Sequence, residues 1–310
     1  MSVKTTASFL SSDGVHNVHV DIWRPEGDPW LLLQLSHGMC EYAGRYDGFA
    51  RWMAGHGILV CANDHLGHGH TAEPTGDFGF FAEKNGRELV LADLKKVNDS
   101  LRAAHPTLPL VLLGHSMGSF FARWFAECHP GALEGLVLSG TGGPSATISA
   151  GKRLAGLLRF VCGPRSTPAL LGNLSFGRYN KRIDDPSSPN AWLTRDGAVV
   201  AAYDADPFCT FPFTASAYCD LLWTHCHVNR PAWANSLPKD LPILLFSGEE
   251  DPVGDYGKGV KKAADLLLAA GMNDVTCRLY PGGRHEMLNE INREEVYADL
   301  LGWLEAHYPH

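Results

Sequence analysis

Five short apolar runs, each closing on glycine-rich punctuation, set the strongest limit on what this chain can fold into. They are WLLLQLSHG, GILVCANDHLGHG, LPLVLLGHSMG, LEGLVLSGTGG and LPILLFSGEED. Each is apolar at consecutive rather than alternate positions, the pattern of a strand buried on both faces, as in a parallel sheet. Amphipathic helical segments lie between them. Over 87–104, for example, Leu89, Val90, Leu94, Val97 and Leu101 fall on one stripe. Strand, helix and strand repeated in this way predict an α/β chain with a doubly wound, mostly parallel sheet. Two earlier segments, SFLSS and NVHVDIWRP, alternate instead and predict an antiparallel pair at one edge.

The rhythm breaks after Gly143. From Pro144 to about Leu237 the chain is rich in Pro, Gly, Ser and aromatics, with helical stretches and no buried strand; LPILLFSG and VTCRLYPGG then resume the sheet pattern. We read 144–237 as an inserted helical cap across the carboxyl edge of the sheet. Residues 1–143 and 238–310 then form one discontinuous core domain, a division that 310 residues can support. Acidic residues outnumber basic ones 34 to 26, for a net charge of −8. No basic run exceeds two residues, which argues against a phosphate-neutralising surface and hence against a nucleic-acid partner. No apolar stretch reaches the roughly 18–20 residues of a spanning helix, and the opening MSVKTTASFLSSDG lacks the apolar core of a secretory signal. The eight cysteines form no CxxC pair and read as reduced thiols of a cytoplasmic protein.

The third apolar run carries the most specific chemistry. A buried strand leads into Gly114-His115-Ser116-Met117-Gly118, and a helix follows. This is G-x-S-x-G in the strand–turn–helix setting that its mechanics require, with flanking glycines allowing a turn sharp enough to expose Ser116. The Met117 amide opens the helix and is aimed at any oxyanion formed on the acylated carbon. A serine at its free pKa is a poor nucleophile, so a base and an orienting acid must follow. One later strand end offers Glu249, Glu250, Asp251 and Asp255; the next offers His285. The order serine, acid, histidine suits this topology. Asp251 is the preferred acid, since Pro252 stiffens its loop. The other three remain candidates on sequence alone. A second oxyanion donor is expected from the loop SHGMCEYAGRY, where Gly38 places the Met39 amide.

With these stretches in place the chain resembles the α/β-hydrolase superfamily and, within it, the monoglyceride lipase and lysophospholipase-like group of serine aminopeptidase S33 type. SHGMCEYAGRY is similar to that group's H-G-x-x-E-x-x-G-R-Y stretch, NDHLGHGHT to its D-x-x-G-H-G-x-[ST] turn, and GHSMG to its nucleophile elbow. GEEDPVGDYGKGV and YPGGRHEMLNE resemble its acid and histidine loops. The resemblance covers nearly the full length, five motifs in order. It implies an α/β-hydrolase fold with a cap, Ser116, Asp251 and His285 as a triad, and the Met39 and Met117 amides as an oxyanion hole. It further implies a loop-shaping ion pair of Glu41 and Arg45, with no metal or cofactor.

DHLGHGH (64–70) tests that last expectation, because three histidines beside an aspartate could ligate zinc. Its His-x-x-His-x-His order differs from the common H-x-H-x-D-H zinc pattern, and the resemblance makes it a glycine-dependent turn. THCHVN (224–229), with His225 and His227, is read the same way, as helix or loop surface. In the cap, Leu154, Leu157, Leu158 and Val161 fall on one helical face, and Phe208, Phe211, Phe213, Tyr218, Leu221, Leu222 and Trp223 follow. Leu157, Leu158, Phe208 and Phe211 are the expected substrate contacts. An apolar cap over a serine nucleophile predicts an ester with an acyl chain, a monoacylglycerol or lysophospholipid. The expected partner is thus a lipid ester, reached through transient contact of the cap with a membrane surface. Three alternatives stay open: a small-ester carboxylesterase, an aminopeptidase-like hydrolase that binds an α-amine through Glu249, Glu250 or cap acids, and a non-catalytic binding protein. An aspartate nucleophile of the dehalogenase kind is disfavoured because a serine holds the elbow.

Overall fold

The alternating segments pair first. In the computed structural model, which describes residues 2–184 and 186–310, β1 (Val3–Leu10) and β2 (Asn17–Arg24) run antiparallel, Val3 opposite Arg24 and Leu10 opposite Asn17. The chain continues through β3 (Leu31–Ser36), α1 (Asp47–Gly55), β4 (Ile58–Asn63), the single turn α2 (Gly69–Ala72), α3 (Gly86–Ala104), β5 (Leu110–His115), α4 (Met117–Cys128) and β6 (Gly135–Ser139). Every residue of β3, β4, β5 and β6 is buried, as the continuous apolar runs require. The sheet closes with β7 (Ile243–Gly248) and the edge strand β8 (Val275–Tyr280), in which Thr276, Cys277 and Arg278 are exposed.

Strand order is β1-β2-β4-β3-β5-β6-β7-β8. β2 is antiparallel to β4, and all pairs from β4 to β8 are parallel. This is the α/β-hydrolase architecture that the resemblance implied. Side chains alternate across the sheet into two cores, Leu32 to one and Leu33 to the other. The first core meets α3 and α4 through Leu94 and Phe121, and the second meets α1 through Phe49. Parallel pairing lines the carboxyl ends up, Ser36 beside Gly114 and His115 beside Ser139. Loops leaving those ends therefore converge on one rim.

Between β6 and β7 the described residues form helices and no strand: α5 (Ala146–Cys162), α6 (Ala169–Phe176), α7 (Gly197–Ala205), α8 (Ala215–Val228) and α9 (Pro231–Ser236). α10 (Lys258–Ala269) and α11 (Arg293–His307) then complete the layers, α11 adding Leu300 to the second core. Arg123 of α4 ties the inserted helices down. It is fully buried and donates to the Gly142 carbonyl at 3.1 Å, to Asn229 Oδ1 at 3.1 Å and to the Val228 carbonyl. The Trp233 ring covers its guanidinium at 4.3 Å. One side chain thus holds together the residue just after β6 and the end of α8. Among the described residues no helix is long and apolar enough to cross a membrane.

Candidate active site

Ser116 sits between β5 and α4 with φ 50° and ψ −119°, a conformation that only a sharp elbow imposes on a side-chain-bearing residue. Its N–H donates to the Ser139 carbonyl at 2.9 Å, and its own carbonyl accepts from Ser119 N–H at 2.9 Å and Ser119 Oγ at 2.6 Å. Backbone bonds on both sides thus keep the strained residue in place. The loop after β3 lies against it: a methyl on Gly38 would stand 3.2 Å from Ser116 Cβ. Met39 and Met117 both line the same cavity beside Ser116. Met117 is the first residue of α4, where N–H groups have no acceptor within the helix.

Of the four acids after β7, Glu249, Glu250 and Asp255 are exposed and Asp251 is fully buried. Asp251 Oδ1 accepts from His285 Nδ1 at 3.0 Å and from Val253 N–H at 2.8 Å, while Oδ2 accepts from Ser247 Oγ at 2.7 Å. Burial pushes its carboxyl upward, but the facing His285 and these three donors prevail and hold it below the usual range. His285 is also buried, which pulls its pKa down; the Asp251 charge and hydrogen bond outweigh this and raise it above 6.5. His285 and Ser116 line one cavity and are not hydrogen-bonded to each other. Such contacts commonly tighten only when substrate binds. An imidazolium cannot accept the serine proton, so kcat/KM should rise with pH through a midpoint above 6.5. In Asp251→Asn, where burial is opposed only by the weaker pull of Glu286 and Glu41, that midpoint should fall and kcat should drop by about 10⁴. A pH–rate profile of both forms checks this.

Behind the oxyanion loop stands a network that sequence reasoning found only in part. Glu41 Oε1 accepts from Gly38 N–H at 2.5 Å and from Tyr46 O–H at 2.7 Å, and Arg45 donates to Glu41 Oε2 at 3.0 Å. The same guanidinium grips Glu286 bidentately at 2.6 and 2.7 Å. Burial opposes ionisation of both carboxyls. Arg45 overcomes it at Glu286, which is held low, whereas Glu41 has a single contact to the guanidinium and is pushed up. Arg45 thereby joins the oxyanion loop to the residue following His285. The histidine loop is also bonded to the segment between β6 and β7: Glu286 N–H donates to the Leu193 carbonyl at 2.7 Å. Glu290 Oε1 accepts the backbone N–H groups of both Arg284 and Arg195, each at 3.0 Å. Trp192 packs its ring 5.1 Å from that of His285.

Ser116, His285, Glu41 and Glu286 open onto a cavity of about 1120 Å³. Of the four expected substrate contacts, Phe211 lines it and the other three do not. α5 presents Thr147, Gly151 and Leu154 to the cavity, so Leu157 is turned outward and is 58% exposed. Leu158 packs on the core instead. Phe208 stacks outside, 5.3 Å from Tyr42 and 4.9 Å from His70. Phe120, Leu171, Tyr218, Leu221 and Leu222 provide the apolar wall.

DHLGHGH leaves β4 as a turn in which Asp64 accepts the N–H groups of Ala43 and His70, each at 2.8 Å. Gly67 and Gly69 take left-handed φ values of 75° and 46°. His65 bonds to Ser36 Oγ at 2.9 Å and His68 Nδ1 to the Leu66 carbonyl at 3.0 Å. Burial draws these two imidazoles down to about 3 and about 4. Among the described residues no group of three or more His, Cys, Asp or Glu side chains is arranged to hold a metal ion. His227 meets Glu127 at 2.6 Å on a partly exposed face, but His225 departs from the surface position expected of it. It is 3% exposed and lines the cavity, because α8 turns that face toward Phe120.

The profile of the family described as serine aminopeptidase S33 matches residues 27–292. The chain is 30% identical to a monoacylglycerol lipase of Mycolicibacterium smegmatis, over 99% of both chains. It is 31% identical to the human monoglyceride lipase, over 97% of this chain and 93% of that one. Among solved structures, a thermostable carboxyl esterase from Bacillus coagulans, crystallised with glycerol, superposes with a TM-score of 0.93 at 31% identity, covering 99% of each chain. A lipase in an open form superposes with a TM-score of 0.91 at 30% identity, covering 99% of this chain and all of the other.

Proposed function

The chain belongs to the serine aminopeptidase S33 family and is a carboxylic ester hydrolase, and on that footing we propose that it cleaves monoacylglycerol-type esters through an acyl-enzyme on Ser116. Ser116 Oγ attacks the ester carbonyl carbon while His285 takes the hydroxyl proton. The oxyanion is held by the Met39 and Met117 amides, and Asp251 fixes the imidazole and stabilises its charged form. Collapse of the adduct releases the alcohol, which takes the proton back from His285. Water then repeats the sequence on the acyl-enzyme and frees the acid. Glu41 and Arg45 shape the oxyanion loop in this scheme, and residues 144–237 act as its cap.

The observation that carries the substrate class is the apolar wall of Phe120, Leu154, Leu171, Leu221 and Leu222 leading away from Ser116. An aminopeptidase would need a free carboxylate inside for the α-amine. The cavity-lining Glu41 and Glu286 are both engaged by Arg45, Glu249 and Glu250 do not line the cavity, and the third lining carboxylate, Asp255, is exposed to solvent, where water screens its charge. A cytoplasmic setting is part of the reading, consistent with cysteines that stand as separate thiols. So is transient docking of the cap on a membrane, in keeping with the exposed Leu157, Phe160 and Val161 of α5.

Hydrolysis of p-nitrophenyl esters from C2 to C16, with 1-monoacylglycerol, lysophosphatidylcholine and an amino-acid amide, tests the substrate class. Activity should peak at medium or long acyl chains, include monoacylglycerol and leave the amide intact. A profile confined to C2–C4 would make this a small-ester hydrolase. Preferential cleavage of the amide would make it a peptidase.

A further inference from the structure

Charge is divided unevenly along this chain. Residues 144–183 contain seven cations (Lys152, Arg153, Arg159, Arg165, Arg178, Lys181 and Arg182) and no acid, although the whole protein carries −8. The remainder of the chain is therefore at −15, and this one stretch is at +7. Three of the seven are engaged: Arg159 donates to the Glu83 carbonyl, Arg165 pairs with Asp77 at 2.6 Å, and Arg182 lies 3.7 Å from Glu250 and over the Tyr256 ring. Among the described residues no ion pair involves Lys152, Arg153, Arg178 or Lys181, and the last three of these are exposed. Large apolar side chains reach solvent in the same stretch: Leu157 at 58%, Phe160 at 88%, Val161 at 69%, Leu170 at 49% and Leu174 at 61%. Among the described residues, half of the exposed large hydrophobic side chains thus fall within eighteen positions.

A cationic surface with interleaved apolar side chains matches one chemistry best. A phosphate backbone would use the cations and leave Phe160 and Leu157 in water. A neutral lipid surface would use the apolar groups and leave the excess of cations in this stretch unexplained. A surface of anionic head groups over hydrocarbon uses both. Leu174 lines the mouth of the cavity and is itself exposed, so the stretch continues into the substrate entrance. We propose that α5, α6 and the turn after them form an electrostatic docking face for anionic phospholipid surfaces. The inference extends the lipid-ester reading: a face that selects anionic membranes chooses where the ester is taken up. The −15 remainder of the molecule is repelled by the same surface, which orients the cavity mouth toward the lipid.

The test is co-sedimentation with vesicles of phosphatidylcholine alone and of phosphatidylcholine with about 30% phosphatidylglycerol, at low and high salt. Wild-type protein is compared with Arg153→Gln/Arg178→Gln/Lys181→Gln, none of which lines the cavity. Partitioning onto the anionic vesicles should be at least about tenfold stronger than onto neutral ones and should fade as salt shortens the Debye length. At about fivefold per cation the triple variant should lose about a hundredfold of that partitioning. Its hydrolysis of p-nitrophenyl butyrate without vesicles should match wild type. Equal binding to both vesicle types without salt dependence, or no binding to either, would overturn the inference. So would single-stranded DNA competing as effectively as anionic vesicles, since that would make the face a general polyanion site. The two readings fail separately. Anionic binding by a protein that cleaves no ester would refute the function and keep the docking face; ester cleavage without anionic binding would do the reverse.

Discussion

Ser116→Ala should lower kcat/KM on p-nitrophenyl esters by on the order of 10⁵–10⁶-fold while leaving the melting temperature nearly unchanged. In the proposed mechanism the loss is large because nucleophile and base act as a unit: without the hydroxyl, His285 has no proton to take and the acyl-enzyme cannot form. Residual turnover of about 10³–10⁴ over water would come from the oxyanion amides and from binding. Stability should survive because no protein hydrogen bond depends on the Ser116 hydroxyl; all three bonds that hold the elbow use its backbone. Alanine keeps the Cβ, so the strain at φ 50° is unchanged. Kinetics and a thermal melt on the same preparation give both readouts. Residual activity above about a tenth of wild type would remove Ser116 from the chemistry. If that activity fell with a chelator, the histidines of DHLGHGH would need to be examined as ligands.

Strand identities were legible because burial on both faces leaves a one-dimensional signature: five uninterrupted apolar runs became five fully buried strands. The Asp251 assignment rested on Pro252 and the resemblance, and nothing local distinguished it from Glu250. What separates them in the fold is burial and a hydrogen bond to His285, both made by residues 34 positions away. Glu286 and Glu290 were missed for the same reason. Each is one more acid in HEMLNE until Arg45, 241 residues earlier, and Arg195 meet them. The two expected contacts on α5, Leu157 and Leu158, went astray for a different reason. A helical stripe of Leu154, Leu157, Leu158 and Val161 records the period of α5 and says nothing of its rotation about its axis. A turn of the helix by less than one residue sends Leu154 into the cavity and Leu157 into solvent.

The glycine that ends the elbow motif should prove as demanding as the serine at its centre. Gly118 lies one residue inside α4, where helix propensity alone would favour alanine by about 1 kcal/mol. Packing reverses the sign. A methyl at this position would stand 2.0 Å from the Ser36 carbonyl oxygen and 2.5 Å from that of His37. Both atoms are backbone at the end of the central strand β3, paired with β5 on one side and β4 on the other. Neither can rotate aside, so α4 must lift from the sheet or the Ser36–Met39 segment must shift. Gly118→Ala should therefore destabilise by about 2–4 kcal/mol, a fall in Tm of roughly 3–6 °C for a chain of this length. The same shift displaces the Met39 amide from the oxyanion position, so kcat should fall by about 10²–10³ with KM little changed. Gly156→Ala is the matched comparison. Gly156 lies in the middle of α5 with nothing within 4 Å of the added methyl, and there alanine should stabilise by about 0.5–1 kcal/mol without touching kcat. A melt and a kcat for each variant decide the matter. If Gly118→Ala behaved like Gly156→Ala, the close approach of α4 to β3 would not be what holds the oxyanion loop against Ser116.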